Sequence, residues 1–283
     1  MNIQQKLAIR FLRAKINLLS VISKRKAGEE AFRIFCTPPA KYKGKEAIIF
    51  TSGEKLIFSL NDKKVIGYRC NTSAPKRALL LHGFSSSCHK FDKYAIELVK
   101  KNYEVLAFDA PAHGASEGKS IHAVDYSNLI KKVVELYGKV DLFVGHSFGG
   151  IAISLAMEDL KHDANTKIVL IAPATETSSA IEGAFVILGL QKASIKKALH
   201  NVIFEISGKP VEWFSIRRAM NNIKASVLWV HDEDDDITPI GDVRKAEKDQ
   251  LPHVRFLFTK GLGHQRIYRD AAVKKAIFDF ADE

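Results

Sequence analysis

Between Leu142 and Ala152 the chain passes from an apolar strand pattern to an apolar helix pattern within one short turn. Leu142-Phe143-Val144 is a buried-strand run, Gly150-Ile151-Ala152 opens a helix, and Gly145-His146-Ser147-Phe148-Gly149 lies between them. So abrupt a change of direction needs small residues two positions either side of Ser147, because strand and helix backbones must approach closely there. A strand feeding directly into a helix is also the repeating step of a parallel sheet covered on both faces. The rest of the chain keeps that step. Apolar runs at Ala78–Leu81, Val105–Phe108, Ile168–Ile171, Val227–Val230 and Val254–Phe258 alternate with helix-prone stretches near 91–101, 121–137, 149–161, 239–249 and 268–281. The expected fold is α/β, with a mostly parallel, doubly wound sheet.

Three segments depart from this rhythm. Ile48–Thr51, Leu56–Leu60 and Val65–Cys70 read as short strands making an antiparallel start, with turns at Ser52-Gly53 and Asn61-Asp62. Between Pro173 and Ala225 there are some fifty residues where one helix would suffice, and 174–224 is read as a helical cap. Residues 3–26 read as one amphipathic helix, because Ile3, Leu7, Phe11, Ala14, Leu18 and Ile22 recur at helical spacing beside Lys6, Arg10, Arg13 and Lys24. Two readings of it stand: packing on its own domain or a second subunit, or lying on an anionic membrane surface. The expected organisation is therefore a basic helical extension over 1–45, a core formed by 46–173 and 225–283, and the cap.

Charge narrows the function classes. The chain carries a net +11, of which residues 1–45 hold +9, from eleven Lys or Arg against Glu29 and Glu30. A basic N-terminal segment on a nearly neutral body is not a basic binding face, and no nucleic-acid motif accompanies it, so nucleic acid is not an expected partner. Cys36, Cys70 and Cys88 are too few and too scattered for a disulfide framework or a metal site, which points to reduced thiols and a cytoplasmic location. The longest uncharged run near the N-terminus, Ile16 to Ser23, is too short for a membrane span, and no cleavage site of secretory type follows it.

Ser147 is the expected nucleophile. The turn presents its hydroxyl at the positive end of a helix, where developing negative charge is favoured. Gly114-Ala115-Ser116-Glu117-Gly118 has the same glycine–serine spacing, but it follows Asp109-Ala110-Pro111-Ala112-His113 in a proline-broken loop and is read as a turn.

With these pieces, residues 46 to 283 resemble the α/β-hydrolase superfamily. His82-Gly83-Phe84 follows the third strand, Asp109 to Ser116 follows the fourth, the Ser147 turn follows the fifth, and a cap follows the sixth. The resemblance implies an eight-stranded sheet and a serine–acid–histidine order along the chain. It places the acid four residues before Pro239, which selects Asp235 from the run Asp232-Glu233-Asp234-Asp235-Asp236. Relatives commonly have glycine where this chain has Asp232. The histidine follows the last strand in a glycine-rich loop, at His264. The backbone N–H groups of Phe84 and Phe148 are the implied oxyanion donors. His82 and His113 are read as structural loop residues, and no cofactor or metal is expected.

The expected activity is hydrolysis of a small-molecule carboxylic ester with a hydrophobic acyl or alcohol part. Thioester, amide or carbon–carbon bond hydrolysis would use the same three residues. A non-catalytic binding protein on the same fold is the rival from another class.

Overall fold

The computed structural model describes residues 3–283, and the first two residues of the N-terminal segment lie outside them. The helices are α1 (Ile3–Ile22), α2 (Lys24–Phe35), α3 (Ile48–Thr51), α4 (Asp92–Lys100), α5 (Ala123–Tyr137), α6 (Phe148–Met157), α7 (Thr177–Leu188), α8 (Ala193–Ser207), α9 (Ile216–Met220), α10 (Ile240–Glu247), α11 (Gly263–Arg266) and α12 (Ala271–Asp282). The strands are β1 (Glu54–Leu60), β2 (Lys63–Cys70), β3 (Lys76–Leu81), β4 (Tyr103–Phe108), β5 (Leu142–His146), β6 (Lys167–Ile171), β7 (Ser226–Asp232) and β8 (Val254–Thr259).

All eight strands form one sheet in the order β1-β2-β4-β3-β5-β6-β7-β8. The first two strands are antiparallel, and β3 to β8 run parallel to one another. This is the α/β-hydrolase fold. The apolar runs alternate by pleat. Ala78, Leu80, Val105, Ala107, Leu142, Val144, Val169 and Ile171 share one core with Tyr94 and Leu98 of α4 and Ile277 and Phe280 of α12. Leu79, Leu81, Leu106, Phe143 and Leu170 are fully buried on the other face. Burial of both faces accounts for the near-continuous apolar strands.

The sheet order reverses at β3, which lies between β4 and β5. Connections from neighbouring parallel strands part at such a point and leave a crevice beyond their carboxyl ends. The loop after β3 and the turn after β5 therefore meet there.

The chain divides into two compact units. The larger comprises Pro38–Thr175 and Ile216–Glu283 and contains the whole sheet. The smaller joins the chain up to Thr37 with Glu176–Ser215, two stretches that the sequence reading kept apart. In the smaller unit α2 packs on α8 through small side chains. Ala27, Gly28 and Ala31 are buried, and a Cβ on Gly28 would lie 2.6 Å from the Ala198 backbone. Arg13 Nε of α1 donates to the Leu188 carbonyl at the end of α7 (2.6 Å), an orphan acceptor that a helix terminus otherwise leaves to water.

Two local expectations are corrected. Ile48–Thr51 is a helical turn and not a strand, because Ser52 N–H reaches back to the Ile48 carbonyl and Phe50 turns into the core. The single helix over 3–26 is two helices that break at Ser23, whose extended backbone and side chain cap α2 at Lys26 N–H.

Candidate active site

Ser147 sits at the apex of the turn with φ +54° and ψ −115°, a left-handed conformation that costs a non-glycine residue about 1–3 kcal/mol. Its surroundings hold it there. Ser147 N–H donates to the Ile171 carbonyl at the end of β6 (3.0 Å), and its carbonyl accepts from Gly150 and Ala174 N–H. The flanking glycines are steric necessities. A Cβ on Gly149 would lie 2.4 Å from the Leu81 carbonyl oxygen, and one on Gly145 would lie 2.8 Å from the Gly149 backbone. The loop after β3 comes equally close, since a Cβ on Gly83 would lie 3.1 Å from the Ser147 Cβ.

The structure brings Ser147, His264 and Asp235 together. His264 Nε2 is 3.0 Å from Ser147 Oγ, and His264 Nδ1 is 2.8 Å from Asp235 Oδ2. With Nδ1–H donating to the carboxylate, the Nε2 lone pair is left to accept the serine proton. All three side chains are buried.

Of the five consecutive acids, only Asp232 and Asp235 turn inward. Asp235 Oδ1 accepts from Ile237 and Thr238 N–H (2.9 and 2.8 Å), and Oδ2 accepts from Thr238 Oγ1 (2.8 Å) as well as from His264. Burial pushes the Asp235 carboxyl upward. The hydrogen bond and charge of His264, with the Thr238 and Ile237 amides, outweigh it and hold the group at about 2.

The two phenylalanines named for their amides lie on the two segments that meet at the serine. Phe84 follows Gly83, and Phe148 opens α6. Their half-buried rings meet edge to face with centroids 5.6 Å apart. His82 and His113 are built into the loops: His82 Nε2 accepts from Ala110 N–H (3.0 Å), and His113 Nε2 accepts from Ser85 N–H (2.9 Å). Burial lowers both, His113 to about 3, so both rings stay neutral near pH 7. Ser116 is locked away from any reaction, since its Oγ donates to the Asp109 carbonyl (2.6 Å) and accepts from Ile66 N–H (2.8 Å).

Sequence reasoning missed two supporting residues. His146, directly before the serine, donates from Nε2 to the His264 carbonyl (3.0 Å), and the two rings lie 4.8 Å apart. Burial and the neighbouring His264 lower His146 to about 3, so it acts as a neutral donor. Asp232, noticed only as a departure from glycine, accepts from Leu262 and Gly263 N–H and from Thr259 Oγ1. Its signal was present in sequence as a carboxylate at a strand end, but its partners lie some thirty residues away. Among the described residues no group of three or more His, Cys, Asp or Glu has the arrangement of a metal site. Among the described residues Cys36, Cys70 and Cys88 are buried and form no disulfide.

Comparisons with known proteins agree with this architecture. The model of the family described as serine aminopeptidase, S33, matches residues 73–207. An uncharacterized hydrolase, YugF, of Bacillus subtilis is 38% identical over 96 residues, covering 32% of this chain and 34% of that protein. A putative esterase/lipase of Mycoplasma pneumoniae is 30% identical over 104 residues, covering 35% and 37%. The match thus spans about a third of the length of these curated relatives. Among solved structures, an esterase of Pyrococcus furiosus superposes with TM-score 0.64 at 22% identity, over 86% of this chain and 98% of that one. Mouse alpha/beta hydrolase domain-containing protein 10 gives TM-score 0.59 at 15% identity, over 81% and 97%. At such identities the likeness is one of fold.

Proposed function

We propose that the chain belongs to the α/β-hydrolase superfamily, whose fold it has, and that it is a serine hydrolase cleaving a carboxylic ester with a hydrophobic acyl or alcohol part. The observation that carries this reading is the continuous run of short contacts from Ser147 Oγ through His264 to Asp235. A buried hydroxyl with no base beside it is inert, whereas one beside an oriented, neutral imidazole is a nucleophile.

In the proposed reaction His264 Nε2 takes the Ser147 proton as Oγ attacks the ester carbonyl. Asp235 holds the imidazole in the Nδ1–H tautomer and stabilises the imidazolium that forms. The Phe148 and Phe84 amides donate to the carbonyl oxygen as it becomes an oxyanion. His264 then delivers the proton to the departing alcohol, leaving an acyl group on Ser147. Water, deprotonated by the same imidazole, attacks the acyl-enzyme and releases the acid, and Ser147 regains its proton. The Phe84 and Phe148 rings beside the serine favour an apolar group next to the scissile bond.

The test is labelling by a fluorophosphonate probe of wild type, Ser147→Ala and Ser116→Ala, followed by turnover of short- and long-chain p-nitrophenyl esters. Labelling that disappears only in Ser147→Ala, with turnover of esters, is the expected result. A folded wild type that takes no label would overturn the reading and bring forward the non-catalytic binding protein.

A further inference from the structure

We infer that the outward face of α1 is a docking surface for an anionic lipid bilayer. The helix has two apolar sides. Ile9, Leu12, Ile16 and Leu19 lie on the one turned inward, with Ile16 fully buried. Ile3, Leu7, Phe11, Leu18, Val21 and Ile22 lie on the other, and each is between 58% and 79% exposed. At 100° per residue these six, with Ala14 among them, fall in one continuous stripe about a quarter-turn wide. Single exposed apolar residues are ordinary, but a contiguous stripe of six along a 20-residue helix is not. Across the described residues, ten of the fifteen exposed large hydrophobics belong to the smaller unit, the other four being Val186, Ile187, Phe204 and Ile206.

Charge selects the occupant. Every charged residue of α1 is basic: Lys6, Arg10, Arg13 and Lys15, with no acid in its twenty residues. Lys6 and Arg10 are exposed beside the stripe, and exposed Lys24 and Lys26 follow it at the start of α2. A second copy laid stripe to stripe would bring like charges together along the seam. An anionic bilayer instead accepts the apolar stripe at the acyl boundary and the ammonium and guanidinium groups at its phosphates. No described helix is long and apolar enough to cross a membrane, so the contact is with the surface.

The test uses the full chain and is independent of ester turnover. Co-sedimentation is measured with phosphatidylcholine vesicles and with vesicles containing about 30% phosphatidylserine, at about 0.1 M and about 0.5 M salt. Wild type is compared with Leu7→Glu/Phe11→Glu and Lys6→Glu/Arg10→Glu, whose altered positions are all exposed, with circular dichroism to verify folding. Binding to the anionic vesicles only, weakened about tenfold by either double variant and several-fold by salt, is expected. Absent binding, or equal binding to neutral vesicles, would overturn the inference. A wild-type dimer that Leu7→Glu/Phe11→Glu converts to monomer, without vesicle binding by either, would assign the stripe to a second copy instead. Ser147→Ala must bind as wild type does.

Discussion

Asp232 holds the loop that holds His264. Its Oδ2 accepts from Leu262 N–H (3.0 Å) and Thr259 Oγ1 (2.7 Å), and its Oδ1 accepts from Gly263 N–H (2.9 Å) and Asp234 N–H (3.1 Å). One carboxylate at the end of β7 thus ties the β8 loop to the strand that leads to Asp235. Burial raises the Asp232 carboxyl, but these four donors outweigh it and the group sits below its ordinary value.

Asp232→Ala therefore leaves half-buried amides without this acceptor and loosens the His264 loop. The expected cost is about 2–4 kcal/mol in stability and about 10–100-fold in kcat/KM. Urea unfolding and ester kinetics measure the two. Asp232→Asn separates them, because it keeps acceptor capacity on one oxygen only. A variant with wild-type kcat/KM would show that the loop is held by other contacts.

The paired glycine variants test the geometry around Ser147. Gly149→Ala drives a methyl to 2.4 Å from the Leu81 carbonyl oxygen, and neither backbone can yield without moving β3 or α6. Loss of soluble protein, or of about 100-fold in activity, is expected. Gly241→Ala meets nothing within 4 Å in α10 and should raise stability by about 0.5–1 kcal/mol. Thermal unfolding of both variants distinguishes a site-specific clash from a general intolerance of alanine.

Acid sensitivity follows from the neutral buried histidines. Burial, with the neighbouring His264 and His82 respectively, holds His146 and His113 at about 3, far below the value of about 6.5 for an unfolded chain. The unfolded state therefore binds protons that the folded state refuses as pH falls below about 6.5, and stability declines from there toward about 3. Asp235 has the opposite sign of interaction. Its contribution is fully present above the unfolded value of about 4, and it is lost only as pH falls toward about 2. Urea midpoints should thus drop between about pH 6.5 and about pH 4, before any carboxylate of the site is neutralised. A flat profile across that interval would mean that the two rings already carry protons in the fold.

Much of this was legible in the sequence because it depends on period and order. The parallel strands announce themselves as apolar runs, Ser147 by the glycines its turn requires, and His264 by its place after the last strand. What was illegible depends on contacts between distant residues. Ile48–Thr51 is four apolar or β-branched residues, too short a run for periodicity to separate strand from helix. The stripe Ile3-Leu7-Phe11-Leu18-Ile22 was found by its spacing, but α1 is apolar on two sides, and the pattern cannot say which one the fold buries. Asp232 showed only as a departure from the usual glycine because its partners lie far along the chain, Thr259 at the end of β8 and Leu262 and Gly263 in the loop after it.

His146 gives the last prediction. Its ring donates to the His264 carbonyl and packs against both the His264 and Tyr268 rings, at 4.8 and 4.7 Å between centroids. These contacts reach the loop and ring of His264, so the expected effect on the proposed reaction is through the placement of His264. His146→Gln can still donate to the carbonyl but loses the stacking, whereas His146→Phe keeps a ring and loses the donor. If the hydrogen bond positions the base, His146→Phe should lower kcat about 10–100-fold with little change in KM, and His146→Gln should retain most of kcat. Equal loss in both variants would assign the positioning to ring packing, and unchanged kcat in both would remove His146 from the placement of His264 altogether.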